Sequence, residues 1–179
     1  MRTITSGLLA LAAAGILLAA VEGSAGGVRW TVPARWRVAP ARPMRMATYT
    51  IPASSSAGGE EAGECGVFFF GKGQGGSVKE NLDRWEKQFE SGPPAKRSER
   101  TLHGLKTHLL EASGTYLAPG GPMMQSQGKK PGWRLLGAIV EAPDGLVFFK
   151  CVGPSAVIQN AQTEFDELLG SVAKATAQA

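Results

Sequence analysis

Residues 65–89 read CGVFFFGKGQGGSVKENLDRWEKQF: an apolar run, a glycine cluster and an amphipathic run in direct succession. The apolar run is too uniform for a strand with one wet face. Val67 and Phe69 point one way and Phe68 and Phe70 the other, so this strand belongs inside a sheet that is covered on both sides. The amphipathic run starts at Ser77. Ser77 and Glu80 have the S-x-x-E spacing of a capping box, in which each side chain satisfies a backbone N–H at a helix start. Val78, Leu82, Trp85 and Phe89 follow at steps of four, three and four, one stripe on a helix. Glu80 with Arg84, and Asp83 with Lys87, are i,i+4 pairs on the opposite side. Ser91-Gly92-Pro93-Pro94 stops the helix. Such a stripe needs a sheet face to cover, and Trp85 is expected there as core rather than as a binding residue.

Between strand and helix, Gly71–Gly76 is a literal G-x-G-x-x-G. A dinucleotide site needs that pattern within a parallel βαβ unit, with an acidic residue at the end of the next strand. Here the next extended run, KRSERTL, is charged, and Glu99 sits in its middle. A Walker lysine is missing as well, because Ser77 follows Gly76 and Lys72 lies before the last glycine. The glycines are therefore expected to turn the chain, and no cofactor is implied. A lesser role remains for Gly73, Gly75, Gly76 and Ser77, whose amides gather at a helix N-terminus and are a candidate anion loop.

Outward from this core, VRWTVPARW (28–36) opens with a short strand that Pro33 stops, and RMATYTI (45–51) alternates as a second. Residues 53–63 and 118–132 are small, polar or glycine-rich and read as loops. The second loop carries Met123, Met124, Lys129 and Lys130 and is a candidate lid or partner-binding element. ERTLHGLKTHLLEASGTYL and WRLLGAIVEAPDGLVFFKCVG each read as two strands, turning at His103-Gly104 and at Pro143-Asp144-Gly145. A closing helix over 155–172 carries its stripe on Val157, Ala161, Phe165, Leu168 and Val172, with Glu164, Asp166 and Glu167 away from it. Residues 173–179 read as a frayed tail. Consecutive hairpins imply a largely antiparallel sheet of six or seven strands with two helices on its faces, a single-domain α+β sandwich.

The N-terminus reads as an address. Arg2 precedes an apolar run, Gly7–Val21, and Gly23, Ser24 and Ala25 are small enough for cleavage after Ala25. The run is shorter than the roughly 20 apolar residues that span a bilayer. Residues 1–25 are thus expected to be a signal peptide, and 26–179 an exported domain in the periplasm or outside the cell, with no transmembrane segment. Of the 179 residues, 24 are glycine and 11 proline, which favours turns over a helical bundle. The formal net charge of +4 does not by itself call for nucleic acid, and export makes that partner improbable.

Cys65 and Cys151 are the two cysteines. In an oxidising compartment they can pair and close a loop worth about 4 kcal/mol. They can equally be two separate buried thiols. From Gly26 to Gly59, Arg29, Arg35, Arg37, Arg42 and Arg45 are interleaved with Trp30 and Trp36, and no acidic residue interrupts them. That segment is a candidate basic and aromatic surface for anionic envelope components or an acidic protein; alternatively, the arginine stems cover the tryptophans as solvated strand faces. His103 and His108 are the only histidines, and their spacing of five suits no metal site on a helix. Neither G-x-S-x-G nor H-E-x-x-H occurs, so no catalytic or metal residue is nominated.

PMRMATYTIP, VFFFGKGQGGSVKENLDRWEKQF, GTYLAPGGPM and WRLLGAIVEAPDGLVFFKCVGP together resemble an uncharacterised family of exported bacterial proteins. More distantly, the element order resembles the PsbP-like α-β-α sandwich. The resemblance implies that fold and carries no catalytic residues. The expected function is an exported, non-enzymatic accessory domain that binds a protein or an anionic envelope component. The alternative is a small-ligand-binding or hydrolytic protein, with one pocket beside the glycine loop and beneath residues 118–132.

Overall fold

The computed structural model describes residues 20–53, 61–119 and 128–176. Seven antiparallel strands form the main sheet, in the order β3 (Arg37–Val38), β4 (Ala47–Ile51), β5 (Gly63–Phe69), β9 (Gly145–Pro154), β8 (Lys129–Ala142), β7 (Leu105–Leu117) and β6 (Lys96–Leu102). The apolar run of the opening stretch is β5, placed between β4 and β9 as its composition requires. Its two faces feed two separate cores. Val67 is fully buried under one face, with Trp30, Ile51, Phe149, Ile158 and Phe165. Phe68 packs on the other, against the core of Leu82, Trp85, Leu110, Leu135, Ile139 and Phe148. Phe70 lies past the strand end and is 39% exposed, so cover on both sides ends at Phe69.

Helix α1 (Val78–Glu86) lies on the second face, with Leu82 and Trp85 buried. Its capping box forms as the spacing predicts: the Glu80 N–H donates to Ser77 Oγ at 3.2 Å, and the Ser77 N–H donates to Glu80 Oε2 at 2.8 Å. Ser77→Ala is expected to lower stability by about 1 kcal/mol in chemical denaturation, with the denaturant slope unchanged. The outer side differs from the expected pairs. Asp83 binds Lys79 at 2.6 Å and Arg97 at 2.8 Å instead of Lys87, because Arg97 reaches it from edge strand β6. Glu80 is drawn back to Ser77 rather than forward to Arg84. Phe89 has left the helix and bridges to Tyr116.

The two hairpins form as read. At the first, His103 (φ 47°) and Gly104 (φ 76°) are both left-handed, as a two-residue turn matched to strand twist needs. The closing helix is two helices, α2 (Ser155–Asn160) and α3 (Gln162–Ser171), because Ala161 relaxes to φ −86°, ψ 2°. The apolar stripe survives the break: Val157, Ala161, Phe165, Leu168 and Val172 are all buried. Among the described residues there are therefore three helices.

A second, three-stranded sheet was not foreseen. Strand β2 (Val28–Thr31) sits between β1 (Glu22–Ala25) and β10 (Ala173–Lys174). Residues 173–174 thus extend the fold where a frayed tail was expected, and residues 177–179 lie outside the described part. Cleavage after Ala25 would remove β1, which pairs with β2 over four residues and is flanked by a bond from the Val32 N–H to the Val21 carbonyl. The expected loops shrink as well. Gly63 already belongs to β5, and residues 129–132 to β8. Residues 54–60 and 120–127, with Met123 and Met124, lie outside the described residues, as does most of the apolar leader.

Candidate functional site

In the glycine loop, Gly73, Gly75 and Gly76 have φ of 71°, 85° and 80°, a backbone that glycine adopts without penalty. Asn81 Nδ2 pins the loop by donating to the carbonyls of Gly75 and Ser77, both at 2.8 Å. Of the donors proposed for an anion, those of Ser77 are engaged, since its N–H and Oγ are both held by the Glu80 carboxylate. Those bonds, the backbone one foremost, hold the Glu80 carboxyl below its usual range. An open cleft of about 560 Å³ separates this loop from the β8–β9 turn, and Glu141 is the ionisable group lining it. A carboxylate there disfavours an anion. Glu141 is in turn 2.7 Å from His108 Nε2, and Glu99 is 2.9 Å from His108 Nδ1. Ser77 faces Glu80 and not that histidine, so no serine–histidine pair assembles.

Of the residues 118–132 expected to cover a pocket beside this loop, 120–127 lie outside the described part. The glycine loop meets the Ala142 end of β8, and the described residues 118–119 and 128–132 lie at its Lys129 end, roughly 40 Å away along a strand of that length.

The basic and aromatic segment also comes apart. Trp30 and Trp36 are core residues, 1% and 5% exposed, because β2 and the turn after it face α3 and the main sheet. Trp30 Nε1 donates to Tyr49 Oη at 3.0 Å, and Trp36 Nε1 donates to Glu164 Oε2 at 2.9 Å. Four of the arginines have found carboxylates. Arg29 lies 3.9 Å from Glu22, Arg35 grips both oxygens of Glu164 at 2.8 Å, and Arg42 and Arg45 share Glu64 at 2.8 and 2.6 Å. The hydrogen bond from Arg35 holds the Glu164 carboxyl below its usual range against the effect of burial. Glu164, read from sequence as a solvated helix residue, is thus a clamp for Arg35 and Trp36. Arg37 is exposed on edge strand β3 and lines, with Arg35 and Glu164, a second open cleft of about 760 Å³.

What the structure gathers instead lies on the α1 side of β4, β5 and β9, at the flank that α1 leaves uncovered. At its rim, Arg42-Pro43-Met44-Arg45 is a turn closed by the Arg45 N–H on the Arg42 carbonyl, at 3.3 Å. Met44 takes φ 63° and is 75% exposed, where turn chemistry favours glycine. Met46 is 53% exposed and bonds through its N–H to the Val67 carbonyl. Phe70 stacks on Phe68 at 6.4 Å, and the Arg45 guanidinium sits 5.4 Å above the Phe68 ring.

At the centre stands Lys150 of β9, directly opposite Gly66 of β5 and Gly137 of β8. A Cβ at Gly137 would fall 2.5 Å from the Trp85 ring, and one at Gly66 2.9 Å from Phe68 and 3.3 Å from Arg45 Nη1. The two glycines are therefore needed as clearance for the rings and guanidinium that wall in the lysine stem. Lys150 Nζ donates to Gln88 Oε1 at 2.5 Å and to Tyr116 Oη at 3.2 Å, and lies 5.5 Å above the Tyr116 ring. Among the described residues no carboxylate pairs with it. Burial first, then the positive charges of Arg45 and Arg84, pushes its pKa down to about 7. Burial likewise pushes the Tyr116 phenol up to about 12.

Sequence reasoning missed Lys150, although a signal was present. It is the single charge in LVFFKCV, a strand with covered faces, so a lysine there has to enter one of them. Cys65 and Cys151 share the same two strands in direct register and are joined as a disulfide beneath the opposite face.

Among the described residues no helix is long and apolar enough to cross a membrane. No family model matches the chain, and no curated protein matches it. Solved structures do. The solution structure of cyanobacterial PsbP from Synechocystis is 14% identical, with a TM-score of 0.52 over 92% of this chain and 98% of that one. A crystal structure of a Pseudomonas aeruginosa protein of unknown function is 13% identical, with a TM-score of 0.49 over 88% of this chain and 99% of that one. At such identity the likeness to PsbP is one of fold, and the fold is a distant PsbP-like α+β sandwich.

Proposed function

We propose that this protein is an exported, non-enzymatic accessory domain that docks onto a partner through the β4–β5 flank beside α1. The observation that carries the reading is Met44, exposed and left-handed at the tip of the Arg42–Arg45 turn. A non-glycine residue in that conformation costs on the order of 1 kcal/mol, and a fold gains nothing by spending it on an exposed methionine. Met46 and Phe70 extend the apolar surface, and Arg42 and Arg45 border it with positive charge. A partner offering apolar and acidic groups fits such a surface, either a protein or an anionic component of the cell envelope. The PsbP-like fold, shared with cyanobacterial PsbP, is compatible with an accessory role. Export rests on the apolar leader, residues 7–21.

Photo-crosslinking residues placed at Met44 and Met46, and at exposed Lys106 as a control on the far hairpin, test the docking face in intact cells. Discrete adducts are expected at 44 and 46 and none at 106. Met44→Gly should weaken docking while leaving stability equal or slightly higher, since glycine suits the turn. Equal crosslinking at all three positions, or none at 44 and 46, ends the reading. Mass spectrometry of the same purified chain reports whether the leader has been removed.

A further inference from the structure

The surroundings of Lys150 are built for a guest of opposite charge. On this flank Arg42, Arg45 and Lys150 face one carboxylate, Glu64, whose oxygens are taken by Arg42 and Arg45. From α1, Arg84 adds positive potential, and the segment after it brings neutral Gln88. From β7 comes the Tyr116 phenol, which feels both Arg45 and Glu64 and so belongs to the same cluster. From β8, Gly137 brings no side chain at all. Counting Arg84, four cations thus surround the one carboxylate of this flank, and the ammonium has partners for two of its three protons, both neutral. A part-buried ammonium without a counter-ion is a costly arrangement that a bound anion would relieve.

The walls select the kind of anion. Arg45 is seated on the Phe68 ring and Lys150 on the Tyr116 ring, and Phe70 and Met46 continue the apolar rim outward. A half-buried, aromatic-walled site penalises a dianion more steeply than a monoanion. Arg45 Nη1 is taken by Glu64 Oε1 at 2.6 Å, so Arg45 Nη2 and the remaining Lys150 proton are the donors left for two oxygens of a planar group. We propose that Arg45 and Lys150 form a receptor for a carboxylate carried on an apolar or aromatic group. The site shares Arg45, Met46 and Phe70 with the docking face, but its test on the isolated protein needs no docking partner.

The test uses the full-length protein with benzoate as the probe and inorganic phosphate as the comparison. Wild-type protein with 13C-labelled lysine is titrated, following the Lys150 Cε resonance. Without anion its midpoint is expected near pH 7. Saturating benzoate should raise that midpoint by at least about one unit, because the anion prefers the ammonium about tenfold or more. Phosphate should raise it less. Benzoate binding, measured separately at pH 6 and at pH 9, should weaken at the higher pH, and Lys150→Met should weaken it at least about tenfold at pH 6. A Lys150 midpoint that ignores benzoate overturns the receptor, and phosphate moving it as far as benzoate overturns the carboxylate assignment. The wild-type titration decides even where a variant folds poorly.

Discussion

The double variant Cys65→Ala/Cys151→Ala is expected to lose roughly 4 kcal/mol of stability, a large share of what a domain of this size possesses. The two residues lie 86 apart in sequence and directly opposite in adjacent strands. The bond therefore closes a loop holding α1, β6, β7 and all of β8, and restrains the unfolded chain far more than the folded one. Both cysteines are buried among Tyr49, Ile51, Leu136 and Phe149, so alanine, which leaves no stranded hydroxyl, isolates the cross-link better than serine. Removing two sulfurs from that packing adds about 1 kcal/mol of cavity loss. Urea denaturation should show a lower midpoint and a steeper slope, because the released chain exposes more surface on unfolding. Reduced wild type should unfold close to the variant. Two free thiols in denatured, unreduced protein, or a loss below about 1 kcal/mol, would count against the cross-link.

How far the sequence could be read follows from the range over which each feature is determined. The strand–turn–helix of residues 65–89 was legible because its causes are local: a run apolar on both faces, a cap three residues from its partner, and a stripe at helical spacing. The hairpins were legible for the same reason. Strands β1 and β10 were not, since four and two residues carry no periodicity, and their partner β2 is chosen by packing at long range. Trp30 and Trp36 show the same limit. Arginines interleaved with tryptophans describe a binding surface or a buried strand equally well until α3 supplies Glu164. Register decides the cysteines in the same way, and it brings Gly66 and Gly137 alongside Lys150 to make the site. The glycine loop, most conspicuous in sequence, is used up by its own cap. The lysine, hidden in an apolar run, is where unspent charge remains.

Lys150→Met should make the protein more stable than wild type at pH 6, by on the order of 2 kcal/mol, with the advantage disappearing toward pH 10. In the folded protein the amine titrates at about 7, and unfolded it returns to about 10.5. Between those values the unfolded chain holds the extra proton, so wild-type stability rises with pH across this window. Below pH 7 both states are protonated and the cost of the buried charge is felt in full. The shift taken at face value sets a ceiling near 5 kcal/mol, which is cut down because the side chain is only part-buried and water reaches it. Methionine keeps the stem's length and apolar contacts with Trp85 and Phe68 while removing the charge. It also removes the bonds to Gln88 and Tyr116, about 1 kcal/mol each, so the variant should become the less stable protein once the wild-type amine is neutral. The stability difference between the two proteins is thus expected to change sign between pH 6 and pH 10, and other titrating groups cancel in that difference. A variant less stable than wild type by the same margin at every pH would mean that Lys150 stays charged and well solvated. Benzoate sharpens the contrast at pH 6: it should stabilise the wild type, whose ammonium lacks a partner, and leave Lys150→Met where it was.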